Sequence, residues 1–304
     1  MSDFDLLAIA RWIHFAAVFA LFGMPLFWIL CGEDRQKSGL PQSLRISVLL
    51  LRIAVPVACV SGVAWLAGTL ANMAGGYASV LDPKTLQLFF LATQFGPLAM
   101  LRLGLFLALF VIGVLPLTRR AWFFALLVIA AILLVTQAWF GHAAEGGASL
   151  AGAAMIVAYA VHLLAGAAWL GGLPVLLLAL IEVRRPANAD ETQSAARLCW
   201  RFSAMAIVAV VLVLLSGIAN TLFRVGDAVG SLLLTAYGAV LLVKLLLVAA
   251  MLALAYFNRY VAVPQLAEGR RGLLHLRISV GTELALGILV LGAAAVLGIL
   301  PPPQ

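Results

Sequence analysis

Charge is what this sequence has least of. Only 10% of its 304 residues are Asp, Glu, Lys or Arg, while 65% are hydrophobic and the mean hydropathy is +1.14. Soluble domains carry about a quarter charged residues, so a soluble fold is excluded. Cysteine is scarce too. Cys31, Cys59 and Cys199 make no disulfide framework. They are small apolar residues, or in the case of Cys31 and Cys199 soft-metal ligands on an exit path. The chain lacks a Walker A loop, a GxGxxG after a strand, an HExxH and a CxxC. It is therefore expected not to be an enzyme, and any transport is passive, ion-coupled or dependent on a partner. The polarity alternation of barrel strands is also missing, which excludes a membrane β-barrel.

What is there is a series of eight apolar stretches, near 6–30, 44–70, 87–116, 121–141, 151–181, 197–222, 232–257 and 275–300. Each approaches or exceeds the roughly 20 residues that cross a bilayer as a helix. The expected fold is an all-α integral membrane protein of eight transmembrane helices. The first stretch is expected to be a retained span, because acidic Asp3 and Asp5 precede it where a signal peptide would be basic. The net charge of +7 does not point to nucleic acid, because its placement follows the membrane. Arg35, Lys37, Arg45, Arg119, Arg120, Arg184, Arg185, Arg197, Arg201, Arg259, Arg270, Arg271 and Arg277 all fall in or beside alternate gaps. The opposite side has Arg11, Lys84 and Arg224. The positive-inside rule then puts both termini outside, in the periplasm, and those gaps in the cytoplasm.

The sequence also repeats itself. His14, Gly23 and Pro25 recur in spacing as His162, Gly171, Gly172 and Pro174. Thr93-Gln94-Phe95-Gly96 followed by Arg102 recurs as Thr235-Ala236-Tyr237-Gly238 followed by Lys244. Arg45-Ile46-Ser47 with Ser61-Gly62 recurs as Arg201-Phe202-Ser203 with Ser216-Gly217. These echoes imply two parallel four-helix repeats, 1–145 and 146–304, related by an axis along the membrane normal. The Gly and Pro residues are read first as packing and kink positions.

Ionisable residues in hydrocarbon mark sites or pathways. His14 and His162 lie roughly 12 and 15 Å below the outer surface by helical rise. His142 ends the fourth stretch at that surface, and His275 starts the eighth on the other side. Met155, Tyr159, His162, Gly166 and Trp169 share a helix face. Imidazole and thioether together favour copper, and Met73 and Met24 could extend such a track. The candidate metal ligands are thus His14, His162, His142, Met155, Met73 and Met24. Two inward histidines could equally hold a b-type haem. A second group, Arg52, Arg102, Lys244 and Glu283, is placed near the midplane or below it as an ion pair or gate. Glu283 is expected to pair with Lys244, or else with Arg52. Its alternative roles are a proton relay and, with three cations to one carboxylate, an anion site.

The run His162-Leu-Leu-Ala-Gly-Ala-Ala-Trp169-Leu-Gly-Gly-Leu-Pro174, then Arg201-Phe-Ser, Ser216-Gly217, Thr235-x-Tyr-Gly238 and Lys244, resembles the copper resistance protein D (CopD/PcoD) family. The segment from His14 to Pro25, the Gly141-His142-Ala143 end of the fourth stretch and the Glu283 span are similar too. The resemblance covers nearly the whole chain and is most specific from 155 to 262. It implies a bacterial inner-membrane protein of copper homeostasis that moves copper from periplasm to cytoplasm with a CopC-like periplasmic copper-binding partner. A haem-bearing electron-transfer protein and a copper-binding scaffold or sensor are the rival readings.

Overall fold

Inside a bilayer every backbone polar group must be bonded within the chain, which leaves the helix as the structure of each apolar run. The computed structural model describes residues 3–32, 41–140, 149–183, 189–225, 232–268 and 270–301. The described residues are all-α, with no strand. The helices are α1 (Asp3–Leu30), α2 (Gln42–Ala74), α3 (Pro83–Ala92), α4 (Gly96–Val114), α5 (Arg119–Thr136), α6 (Leu150–Glu182), α7 (Ala189–Val225), α8 (Ala236–Phe257) and α9 (Arg270–Leu297). All except α3 are long and apolar enough to span, giving eight spans. Large apolar side chains such as Val60, Leu107, Leu215 and Leu246 are exposed along them, as lipid-facing positions require. This is a multi-pass membrane protein.

The third apolar stretch corrects the sequence reading. Residues 87–116 do not form one helix, because the chain leaves helical geometry at Thr93, with φ −102° and ψ 153°, and restarts at Gly96 with Pro97 in its first turn. In a continuous helix Pro97 would clash with the carbonyl of Thr93 and could not bond it, whereas proline is well placed at a helix start. The Thr-x-aromatic-Gly motif is thus a helix start in both halves. In the second half Thr235 Oγ1 accepts the Gly238 N–H at 3.0 Å and caps α8. Met73 lies on the last turn of α2.

Helix α1 runs through the centre, packed against α2, α5, α6 and α9. Its crossing with α6 is made by the repeated glycines. A Cβ on Gly171 would meet the Phe19 carbonyl and the Gly23 Cα, and one on Gly23 would meet Ala167 O and Gly171. Small residues at these two positions let the backbones touch, as close packing in lipid demands. Toward the other membrane face, polar groups tie the helix ends together. Glu182 accepts from Gln42 N (2.7 Å), Ser43 N (3.3 Å) and Ser43 Oγ (2.6 Å), satisfying orphan donors at the start of α2. Arg277 donates to Leu180 O and Val183 O at 2.8 Å, satisfying orphan acceptors at the end of α6.

Candidate functional site

Each repeated histidine bonds a carbonyl one turn before a Ser-Gly pair on the next long helix. Ser61 Oγ donates to Val57 O at 2.5 Å, and His14 Nδ1 lies 3.0 Å from Ala58 O. Ser216 Oγ donates to Leu212 O at 2.5 Å, and His162 Nδ1 lies 3.1 Å from both Val213 O and Ser216 Oγ. A carbonyl only accepts, so Nδ1 carries the proton in both rings. Glycine makes the room. A Cβ on Gly62 would come within 2.9 Å of His14 Cε1, and one on Gly217 within 3.3 Å of His162 Cε1. The sequence displayed these Ser-Gly pairs, but nothing in it said that their glycines make room for the histidines.

The two halves then diverge at Nε2. Arg102 Nη2 donates to His14 Nε2 at 3.0 Å, while its Nη1 donates to Leu133 O (2.9 Å) and Thr136 Oγ1 (3.0 Å). Its guanidinium carbon also sits 4.8 Å from the Trp65 ring centre. A guanidinium only donates, so the one lone pair of His14 is taken. His14 is 2% exposed and Arg102 is fully buried. Arg102 thus stands level with His14, bonded to it directly.

His162 Nε2, by contrast, has no hydrogen-bond partner among the described residues, and the ring lines a cavity of about 140 Å³. Met155, Tyr159, Gly166 and Trp169 line it from the same helix, with Lys244 from α8 and Arg224 from α7. The cavity opens among the start of α6, the end of α7, the start of α8 and the end of α9, and it reaches inward to Trp169 and Met251.

His14, Met24 and Met73 are not among the lining residues. Met24 is buried in the core, Met73 is half exposed, and His275 is exposed. His142 lies outside the described residues. No group of three or more His, Cys, Asp or Glu is close enough to hold a metal among the described residues. A haem between His14 and His162 would need both Nε2 atoms to face one space, and that of His14 is occupied by Arg102.

The expected pairing of Glu283 with Lys244 or Arg52 is not what the structure shows. The carboxylate accepts from Trp169 Nε1 at 2.9 Å and Asn258 Nδ2 at 3.0 Å. Arg52 is exposed on α2 and Lys244 faces the cavity. Charge counting cannot tell which way a helix is rotated, and here rotation brought two neutral donors to the carboxylate. Trp169 therefore forms the cavity floor on one side and holds Glu283 on the other.

On the opposite side of the membrane, Cys31 and Cys199 are buried free thiols. Burial pushes the Cys31 thiol up to about 11, against a weaker opposing pull from Arg201. Arg201 stands two residues beyond Cys199 on α7.

Helices this long and apolar, arranged around a cavity lined by His162, define a multi-pass membrane protein with a cavity between its helices. Residues 1–153 match the family model of the copper resistance protein D-like N-terminal domain, and residues 196–297 match that of copper resistance protein D. The chain belongs to the copper resistance protein D family. It is 35% identical over 151 residues to copper resistance protein D of Pseudomonas syringae pv. tomato, covering 47% of each chain. It is 39% identical over 112 residues to inner membrane protein YebZ of Escherichia coli (strain K12), covering 36% of each. It is 36% identical over 148 residues to copper transport protein CutJ of Bacillus subtilis (strain 168), covering 47% of this chain and 25% of that one. The chain spans less than half the length of each of these curated relatives. No solved structure matches it.

Proposed function

We propose that this chain moves copper ions across the bacterial inner membrane, from periplasm to cytoplasm, and is not an enzyme. Membership of the copper resistance protein D family supports copper as the cargo. One observation carries the site. His162, whose Nε2 has no hydrogen-bond partner among the described residues, lines a cavity that Met155 lines as well, two turns away on α6. A thioether and a neutral imidazole in one cavity favour cuprous copper. The Nδ1–H bond to the Val213 carbonyl fixes the tautomer that leaves Nε2 available, as the outer contacts of metal-bound histidines do.

The basic residues of alternate gaps support an orientation with both termini periplasmic, which turns the cavity mouth toward the periplasm. A CopC-like copper-binding partner would deliver copper on that side of the membrane, with His142 and Met73 as its first contacts. Lipid surrounds the spans. Exit runs beyond Trp169 and Glu283 toward Cys31 and Cys199. The matched His, Ser-Gly and basic positions support two parallel repeats, of which the second carries the copper site and the first holds His14 closed.

Bound metal and the visible spectrum of the detergent-purified protein test this reading. Copper should be present without a Soret band, lost in His162→Ala and retained in His14→Ala. Copper retained by a folded His162→Ala protein, or a Soret band, would overturn the site. Copper uptake into proteoliposomes then separates transport from sensing.

A further inference from the structure

The cavity walls carry positive charge and no negative charge. Lys244 and Arg224 both line it, and no Asp or Glu does among the described residues. Arg11 stands behind Gly298, a lining residue whose carbonyl accepts from Arg11 Nη1 at 3.4 Å. The three cations lie within each other's fields, Arg11 with Arg224 and Arg224 with Lys244. Lys244 also acts on His162. Arg11 is 6% exposed, its Nε has no partner, and its guanidinium rests on the rings of Phe15 and Trp65. The membrane's one deeply buried carboxylate among the described residues, Glu283, is turned away behind Trp169.

Arginine does not give up its proton in proteins, so this field persists whatever Lys244 does. Charges withdrawn from water need a counter-charge. A bare copper cation entering the cavity would add to the repulsion rather than relieve it.

We propose that the cavity binds a small inorganic anion of halide size beside Lys244 and Arg224, and that copper is accepted at His162 together with it. This rests on the proposed copper site but reads a different part of the cavity. Cuprous copper with one such anion is a neutral unit, which is far cheaper to place in a low-dielectric interior than an ion. The space of about 140 Å³ holds both with room for water, since about 10–15 Å³ of such space suffices for one water molecule. Asn220, Thr221 and Tyr159 add polar groups to the same wall.

The test uses the full chain in detergent, with chloride as probe and gluconate replacing it at constant ionic strength. In copper-free protein, chloride should raise the melting temperature saturably, by several degrees, because a ligand that binds the folded state stabilises it. Lys244→Met and Arg224→Met should flatten that rise. Cuprous copper held against a chelator should bind at least tenfold tighter in chloride than in gluconate, and Lys244→Met should remove the difference. A wild-type melting temperature indifferent to chloride, with copper still bound through His162, would overturn the anion site and leave the copper site standing. A Lys244-dependent chloride effect in a protein that never binds copper would do the reverse. The wild-type measurement decides the matter even if a variant fails to fold.

Discussion

Arg102 donates to Nε2 of His14 at 3.0 Å, whereas Lys244, six residues beyond the matching glycine of the second half, makes no bond to His162 among the described residues. Both basic residues follow the same Thr-x-aromatic-Gly helix start. A long planar guanidinium reaches the imidazole, and a shorter ammonium leaves a cavity.

Exchanging that one residue should therefore close the second site. Lys244→Arg is expected to donate to His162 Nε2 and weaken copper binding at least tenfold, measured by chelator competition. Unchanged affinity would mean that the cavity stays open for some other reason.

Glu283 satisfies two buried donors, Trp169 Nε1 and Asn258 Nδ2, while Asn258 Oδ1 has no partner. In Glu283→Gln, the new amide can donate to that spare oxygen after Asn258 turns over, so the loss should stay within about 1 kcal/mol. Glu283→Leu leaves both donors unsatisfied and should cost about 2–4 kcal/mol. Thermal melts of the two variants compare them directly, and equal melting temperatures would contradict the bonding described.

The crossing of α1 and α6 admits no side chain at Gly171, whereas a Cβ at Gly104 on α4 meets nothing within 4 Å. Gly171→Ala should lower stability by about 2 kcal/mol or more through overpacking, and Gly104→Ala should not. The paired melts check both arms.

Burial raises the Cys31 thiol to about 11, so it is protonated at neutral pH. In a Cys59→Ser/Cys199→Ser background, alkylation by a small maleimide should be slow at pH 8 and still accelerating at pH 10, because the thiolate is the nucleophile. An acid with a raised folded-state pKa contributes stability that is complete below its unfolded value, near 9, and fades as pH rises through about 11. A rate that levels off near pH 9 would show that the thiol is not held in a buried setting.

The eight spans could be read directly, since uninterrupted apolar runs of this length have one solution in lipid. The break at Thr93–Phe95 could not be, because apolarity continues through it and only Gly96-Pro97 hints at a restart. The shared face of Met155, Tyr159, His162, Gly166 and Trp169 followed from helical spacing, and all five line the cavity. The different fates of His14 and His162 did not. They depend on whether a guanidinium or an ammonium stands opposite, and on helix rotations that a one-dimensional pattern does not contain. The same limit hid the partners of Glu283, as neither Trp169 nor Asn258 looks like a counter-charge.

The touching backbones of Gly23 and Gly171 have a mechanical consequence. Interdigitated side chains must unlock before two helices can move, but glycines have nothing to unlock, so the crossing can serve as a fulcrum. His162 stands nine residues from Gly171, roughly 13 Å along the axis by helical rise, so a tilt of ~5° about that point would swing the imidazole by about 1 Å. That is a large displacement for a coordinating nitrogen and a small one for the bundle.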